Sequence, residues 1–380
     1  MRIGQSFGVR RRAAHRAAAA GVLACLIAAG PSRLSAQDDT ASGQGGTARA
    51  RFLMGTRLTI ETDGPAPAGA LEAAFEEVAR LEGIFSNWRR ESEVSHLNDK
   101  AARAPVLCSR ELFGAVRVAL GWAEETGGAF DPTVEPLVRA LGLRGDEGRM
   151  PDPESPAVPA GGETAPSVRP PIGWRHVHLH RRTRSVRFDT EGVGLDLGGI
   201  GKGIALDAAA GVLRRHGVRR ALLDFGGQVL AIGHPVRCPA WSIGIADPGD
   251  RDSVIAVVGI DGLSLATSSN SERFVETPRG RIGHILDPAE GRPARFQGSL
   301  TVAARDATSA DALSTALFVM GPERGSTWAE ARDVPALYVW RDDTGALRSK
   351  SSRAFEERFG GGASRRERAG RAAEWRKEAR

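Results

Sequence analysis

Apolar positions along the chain recur in two rhythms. Between residues 67 and 85, Leu71, Phe75, Val78 and Leu81 fall three or four apart, which lines one face of a helix. Residues 109–126 repeat that spacing with Leu112, Phe113, Val116 and Leu120. Ser109 stands where an N-cap belongs, although Glu111 follows two rather than three residues later, short of a capping box. Elsewhere alternation or short apolar runs predict strands. They are "RARFLMGTRLTIETDG", residues 184–189, "RALLDFGGQVLAIG", "WSIGIADP", "VIAVVGI" and, as the last strand, "ALYVWRDD". "LATSSNSERFVETPRGRIGHILDP" reads as a strand, a turn, a second strand and a loop, and "SLTVAARDATSADALSTALFVMG" as a strand running into a helix. Helices and strands mix without a regular βαβ rhythm, and no internal repeat is visible. The predicted class is therefore α+β, with mixed, mainly antiparallel sheets packed with helices.

Where the rhythm fails, boundaries follow. Residues 1–36 combine a basic start, the run "AAAAGVLACLIAAG" and "RLSAQ", with Ala36 at a cleavage position; this is the layout of an export signal. "VRRRAAHR" faintly resembles a twin-arginine signal, and "VLAC" a lipobox ending at Cys25. Soluble export ranks first, because Val22 is not the usual Leu and the apolar run continues past Cys25. The expected location is the periplasm, with an inner-membrane lipoprotein, anchored by lipid only, as the second reading. Residues 37–50 read as a flexible lead-in, 51–345 as a single domain, and 346–380 as a basic, disordered tail. The Pro/Gly-rich stretch 145–172 reads as a surface excursion.

Composition changes this picture little. At 41% hydrophobic the chain can build a sizeable core, and part of its net charge of +6 sits at the two termini. Aromatic residues do not interleave with the basic ones, so no nucleic-acid partner is expected. Cys108 and Cys238 remain after cleavage, and the sequence leaves open whether they pair. Their spacing with histidine offers no zinc pattern.

The candidate chemistry begins at "GVGLDLGGIGKGIALDAAAGVL", residues 192–213. A Walker A loop needs Gly five residues before the Gly-Lys pair and Ser or Thr after it; here those places hold Asp196 and Gly203. The G-x-G-x-x-G fingerprint fails too, because Ile204 follows Gly203. Asp196 either holds backbone N–H groups in a buried turn or faces a ligand. Lys202 meets a phosphate, a ribose or solvent. In "SADALSTALFVMG", Asp311, Ser314 and Thr315 share a helical face near its start. They are either helix-start caps or hard oxygen ligands that suit Mg²⁺. In "GGAFDPTVEPLV", Asp131 precedes Pro132, which biases it extended. Met54 and Trp88 are either core residues or a clamp for a flat ring. His284 and Asp287, three apart in "RIGHILDPAEGRP", are either structural or an acid/base pair.

Taken in order, "MGTRLTIE", "SNWRRESEVSHLN", "GGAFDPTVEPLV", "GVGLDLGGIGKGIALDAA", "LLDFGGQVLAIG", "WSIGIADP", "GHILDPAEGRP" and "SADALSTALFVMG" resemble the ApbE family of FAD:protein FMN transferases, from about residue 50 to about residue 345. The resemblance implies an ApbE-like, T-fold-related architecture. It implies that the FMN half of FAD, the substrate, moves to a Thr or Ser hydroxyl of an acceptor protein carrying a flavinylation motif, with Mg²⁺ present and AMP released. Met54, Trp88, Ala129, Phe130, Asp131, Asp196, Lys202 and Ile285 match cofactor-contacting positions. Gly199, through its backbone oxygen, and Asp311, Ser314 and Thr315 match metal ligands. His284 is the expected base, with Asp287 orienting it. Trp88 stands where relatives usually carry Tyr, Gly283 where they carry Ser, and Glu135 where they carry Gly. A Mg²⁺-dependent FAD pyrophosphatase, a non-catalytic periplasmic flavin-binding protein, and a carbohydrate-binding or structural secreted protein are the alternatives.

Overall fold

The computed structural model describes residues 46–141, 143, 170–270, 274–277 and 280–360. The expected export signal, Cys25, most of the 145–172 excursion and the last twenty residues lie outside these. No helix among the described residues is long and apolar enough to cross a membrane.

The stretch read as one strand near the start is two. β1 (Thr47–Leu53) and β2 (Thr56–Thr62) form a hairpin around Met54 and Gly55, at φ of 48° and 75°. Two central residues at positive φ make the tight turn whose twist matches the flanking strands. A non-glycine there escapes a reading based on alternation. The strand also begins at Thr47, inside the expected lead-in. α1 (Ala70–Phe85) buries Leu71, Phe75, Val78 and Leu81 as their spacing predicts, and each such side chain contributes roughly 1.5–3 kcal/mol. α2 (Glu93–Lys100) was not foreseen, since eight residues carry too little periodicity; Ser92 caps it by accepting the Ser95 N–H at 3.1 Å. β3 (Val106–Leu107) leads to α3 (Arg110–Glu125), where Ser109 accepts the Leu112 N–H at 3.1 Å as a cap. α4 (Glu135–Ala140) follows, then β4 (Val177–His180) and β5 (Ser185–Phe188), which complete a three-stranded sheet in the order β3-β5-β4.

After α5 (Gly201–Arg215), "RALLDFGGQVLAIG" is again a hairpin, β6 (Ala221–Phe225) and β7 (Gln228–Ile232), turned at two positive-φ glycines, Gly226 and Gly227. β8 (Trp241–Asp247) and β9 (Asp250–Ile260) pair with each other. β10 (Ser264–Ser269), the hairpin β11 (Phe274–Thr277) and β12 (Gly280–Gly283), and the short pair β13 (Leu286–Asp287) and β14 (Arg292–Pro293) come next. β15 (Ser299–Ala304), α6 (Ala307–Glu330), β16 (Ala336–Arg341), β17 (Leu347–Ser351) and α7 (Arg353–Phe359) complete the order.

One eight-stranded sheet, in the order β1-β2-β6-β7-β10-β15-β16-β17, organises the molecule. Every neighbouring pair in it is antiparallel, so the predicted α+β class holds. Leu223, Phe225, Leu230 and Ile232 turn to the face covered by α1 and α5. Leu222, Val229 and Ala231 turn to the other, where Trp241, Ile245 and Val258 of β8 and β9 and Phe355 of α7 cover them. Two covered faces explain why β6 and β7 read as apolar runs rather than alternation.

The domain does not stop at residue 345. β17 pairs with β16 at the edge of the sheet, and α7 buries Ala354 and Phe355. An edge strand half exposed along its length, "LRSKS", carries little apolar signal. Within α6, Gly321 at φ 74° precedes Pro322 and breaks the helix, and the Tyr338 hydroxyl donates to the Leu317 carbonyl at 2.8 Å beside the break. No disulfide joins Cys108 to Cys238; burial pushes the Cys108 thiol up to about 11.

Candidate active site

The loop before α5 is held from several sides. Asn98 donates its amide to the Leu195 carbonyl at 2.9 Å and accepts the Leu195 N–H at 2.8 Å. The Asp196 N–H donates to the Pro132 carbonyl at 2.7 Å. The Asp196 carboxylate is half-buried; Oδ1 accepts the Gly198 N–H at 2.7 Å and Oδ2 the Asn87 amide at 3.0 Å. The turn-forming reading of Asp196 is thus met, and its neighbour through Asn87 is Trp88. Asn87 is buried, whereas Trp88 is 36% exposed. Trp88 is therefore available to a ligand in a way a core tryptophan is not. Met54, at its positive-φ turn, brings its Cε to 3.8 Å from where a Cβ on Gly201 would stand. The hairpin tip thus sits against the start of α5.

The helix that carries Lys202 and the helix that carries Asp311, Ser314 and Thr315 meet at their first turns. The Gly203 N–H, which has no partner within its own helix start, donates to Asp311 Oδ2 at 2.9 Å. Lys202 Nζ lies 3.7 Å from Asp311 Oδ1. A Cβ on Gly203 would stand 2.3 Å from the Ala307 carbonyl oxygen, so only glycine allows this approach. In the other direction, Asp207 of α5 accepts the N–H groups of Ala307 and Thr308 at 2.8 and 2.9 Å and the Thr308 hydroxyl at 2.6 Å. Burial pushes its carboxyl above the ordinary range, against those hydrogen bonds. The Gln228 amide donates to the Ala307 carbonyl at 2.8 Å. Asn87, Asn98, Asp207, Thr308 and Gln228 were not singled out from sequence. The available signal for Asp207 was a lone carboxylate among the small and apolar residues of "GKGIALDAAAGVL".

Gly199 packs between Phe130 and Thr315: a Cβ there would stand 3.2 Å from Phe130 Cε2 and 3.2 Å from Thr315 Oγ1. Thr315 shares its helical face with Asp311, one turn earlier. Gly199, with its unshielded backbone, thus lies against Thr315, one helical turn after Asp311. Ser314, fully buried, instead turns to β10, where its hydroxyl lies 2.9 Å from that of Ser268 and donates to the Asp311 carbonyl at 2.9 Å. Among the described residues no three His, Cys, Asp or Glu side chains are grouped to hold a metal ion. A single carboxylate with hydroxyl and carbonyl oxygens fits Mg²⁺, which completes its shell with water and substrate phosphates, and not zinc.

Asp131 is buried and fully engaged. Its Oδ1 accepts the Thr133 N–H at 2.8 Å and hydroxyl at 2.6 Å, and its Oδ2 the Trp174 N–H at 3.0 Å. Burial nonetheless pushes its carboxyl upward. It fastens the chain that re-enters at 170–174 to the segment holding Phe130, which is buried, and Ala129, which is partly so. Glu135 is buried beside Gly194, where a Cβ would stand 2.7 Å from Oε2, and pairs with Arg139. The structure gives no reason for a carboxylate there.

His284 and Asp287 lie on a separate segment. Gly283 packs against Asn270, whose Oδ1 would be 2.4 Å from a Cβ at that glycine. Asn270 follows β10 two residues after Ser268, so His284 is carried at the same end of the sheet as Ser314. His284 is half-buried. Asp287 Oδ1 accepts the N–H groups of Ala289 and Glu290 at 2.9 and 3.1 Å and so shapes the turn that follows. The Ile285 side chain lies in the apolar cluster with Leu313 and Phe318, and its carbonyl accepts the Ala294 N–H at 2.9 Å.

Residues 54–338 match the ApbE family. A FAD:protein FMN transferase of Treponema pallidum is 33% identical over 314 residues, 77% of this chain and 84% of its own. One of Klebsiella pneumoniae is 33% identical over 298 residues, 76% and 88% of the two chains. The crystal structure of the ApbE protein from Thermotoga maritima is similar with a TM-score of 0.70 at 31% identity, covering 83% of this chain and 99% of that one. The apo Pseudomonas stutzeri flavinyl transferase ApbE gives 0.69 at 28% identity, covering 84% and 98%. The matched span contains Asp196, α5, α6 and the His284 segment, and on it the chain belongs to the ApbE family.

Proposed function

We propose that this chain is an exported FAD:protein FMN transferase, which moves the FMN half of FAD to a Thr or Ser hydroxyl of an acceptor protein and releases AMP. The observation that carries this reading is the meeting of Gly203 and Lys202 with Asp311, beside Gly199 packed on Thr315. It joins a cation, an unshielded backbone and hard oxygens at one place, which is what a pyrophosphate being cleaved requires. The names of the relatives support the same substrate.

In the reaction, the acceptor oxygen forms a bond to the phosphorus on the FMN side. The bond from that phosphorus to the oxygen of the AMP phosphate breaks, and the AMP phosphate keeps the electron pair. The acceptor's proton passes to a base, for which His284 is our assignment. Lys202, 31% exposed at its side chain and so free to turn from Asp311, balances the phosphate charge. Asp311, Thr315 and the Gly199 carbonyl would hold Mg²⁺, which supplies charge stabilisation to the leaving phosphate. Met54 and Trp88 would pack on the isoalloxazine ring, and Asp196 shapes the loop by accepting the Gly198 N–H.

The test is incubation of the protein with FAD and Mg²⁺, with and without a peptide carrying D-x-x-[ST]-x-A-T. Covalent flavin fluorescence on the peptide, with AMP formed alongside, is the expected result. Free FMN and AMP at the same rate without peptide would replace the transferase by a pyrophosphatase. FAD binding without turnover would leave a storage protein.

A further inference from the structure

α6 has a cap of its own: Asp306 accepts the Ser309 N–H at 2.7 Å and the Ser309 hydroxyl at 3.0 Å. The next two N–H groups toward the helix start, those of Ala307 and Thr308, are taken by a carboxylate from another helix, Asp207. Local capping alone does not call for a partner so distant in sequence. Asp207 lies one turn after Gly203 along α5, and Asp311 one turn after Ala307 along α6. The Gly203–Asp311 bond runs from α5 to α6, and the Asp207 bonds run from α6 to α5. One such contact would let α6 pivot about it. Contacts in both directions, about 6 Å apart along each helix, fix how α6 is turned against α5. The Gln228 amide on the Ala307 carbonyl holds the same turn from the sheet.

We propose that Asp207 is a positioning residue for the transfer reaction: its carboxylate clamps the first turn of α6 to α5 and thereby sets Asp311 against Gly203 and Lys202. The inference rests on the transferase reading above. The role assigned to Asp207 is indirect: it acts through the backbone of Ala307 and Thr308.

The full chain is compared with Asp207→Asn, Asp207→Glu and Thr308→Val. Residue-resolved hydrogen exchange is measured without FAD or Mg²⁺. FAD affinity and single-turnover transfer are then titrated against Mg²⁺. In Asp207→Asn the Gly203 amide is expected to exchange about tenfold faster or more, while amides in α3 keep their protection. The Mg²⁺ needed for half-maximal FAD binding and transfer rises by about tenfold, in the range that orienting groups around metal ligands contribute. Asp207→Glu recovers part of both. Thr308→Val, which removes one bond to Asp207 and leaves the backbone bonds, shifts both in the same direction by a smaller factor, and it carries the comparison if Asp207→Asn does not fold. A lower melting temperature with Gly203 exchange and Mg²⁺ dependence within about twofold of wild type would make Asp207 a simple stability residue and overturn the proposal. If the wild type binds FAD but transfers nothing, the transferase reading falls, while Gly203 exchange and Mg²⁺-dependent FAD affinity still decide the role of Asp207.

Discussion

Gly203 on α5 gives its N–H to Asp311 on α6 at 2.9 Å, and the approach leaves no room for a side chain. A methyl at residue 203 would have to push aside the Ala307 carbonyl, which is backbone and cannot rotate away. Gly203→Ala is expected to destabilise the fold by about 1–3 kcal/mol as overpacking, even though alanine favours a helix by about 1 kcal/mol. Denaturant unfolding reads this directly. A variant as stable as wild type would mean that the two helices can part without cost.

Asp311→Ala removes the carboxylate shared by Lys202 and the Gly203 N–H. Single-turnover transfer is expected to fall by about 100-fold or more, on the scale of losing one preorganised electrostatic contact. FAD binding in Mg²⁺ weakens as well, while circular dichroism stays that of wild type. Near-normal transfer at low Mg²⁺ would remove Asp311 from the site.

Trp88 directly follows Asn87, whose amide donates to Asp196, and the residue is 36% exposed. Trp88→Ala is expected to weaken FAD binding by roughly 1–1.5 kcal/mol, the contribution of an aromatic partner, with little change in melting temperature. Trp88→Tyr should bind nearly as wild type. Fluorescence titration separates the two, and equal affinity for Trp88→Ala and wild type would exclude the ring from the flavin site.

His284 lies between β12 and β13, on neither α5 nor α6, so its loss tests chemistry more than the contact of those helices. His284→Ala is expected to lower turnover by about 100-fold, within the range of general-base catalysis, and to leave FAD affinity nearly unchanged. FAD affinity, melting temperature and transfer rate are to be measured on one preparation. A rate within about threefold of wild type would shift the base elsewhere.

Burial raises the Asp131 carboxyl above its ordinary range in spite of hydrogen bonds from Thr133 and Trp174. A carboxyl that holds its proton more tightly when folded than when unfolded adds stability at low pH. That contribution is lost as pH rises through the folded pKa. Asp131→Asn cannot ionise. Its unfolding free energy relative to wild type should therefore climb as pH rises from the ordinary aspartate range, about 4, toward 7. Unfolding curves at several pH values give the difference, and a flat difference would mean that Asp131 titrates alike in both states.

Much of the architecture was legible because long elements repeat their pattern. α1 and α3 show it in their apolar spacing, and Ser109 showed itself as a cap. The hairpins at Met54–Gly55 and Gly226–Gly227 were read as single strands, because a two-residue turn hardly interrupts alternation. β17 and α7 were hidden by the polar surface of an edge. At the site, the sequence singled out Asp196, Gly199, Lys202, Asp311 and Thr315 as candidates, with their roles implied by the family resemblance, and the fold brings Lys202 to Asp311 and Gly199 to Thr315. The sequence did not reveal Asp207, Asn87 or Asn98. Asn98 and Asp207 hold backbone groups, and Asn87 the Asp196 carboxylate, all more than ninety residues away in sequence, and no local spacing encodes such a partner.

The break at Gly321 also interrupts the helical phase between the two ends of α6. The rear half of α6 is seated by Gly325 beneath Tyr338 and by buried Ser326 and Ala329, while the front half is seated by α5 and by the Tyr338 hydroxyl on the Leu317 carbonyl. In an unbroken helix, each residue added or removed between these two seats would twist one against the other by a hundred degrees or so. With the helical phase interrupted at Gly321, the rear can vary in length and packing while Asp311 and Thr315 keep their heading, so drift in the scaffold does not become drift in the chemistry.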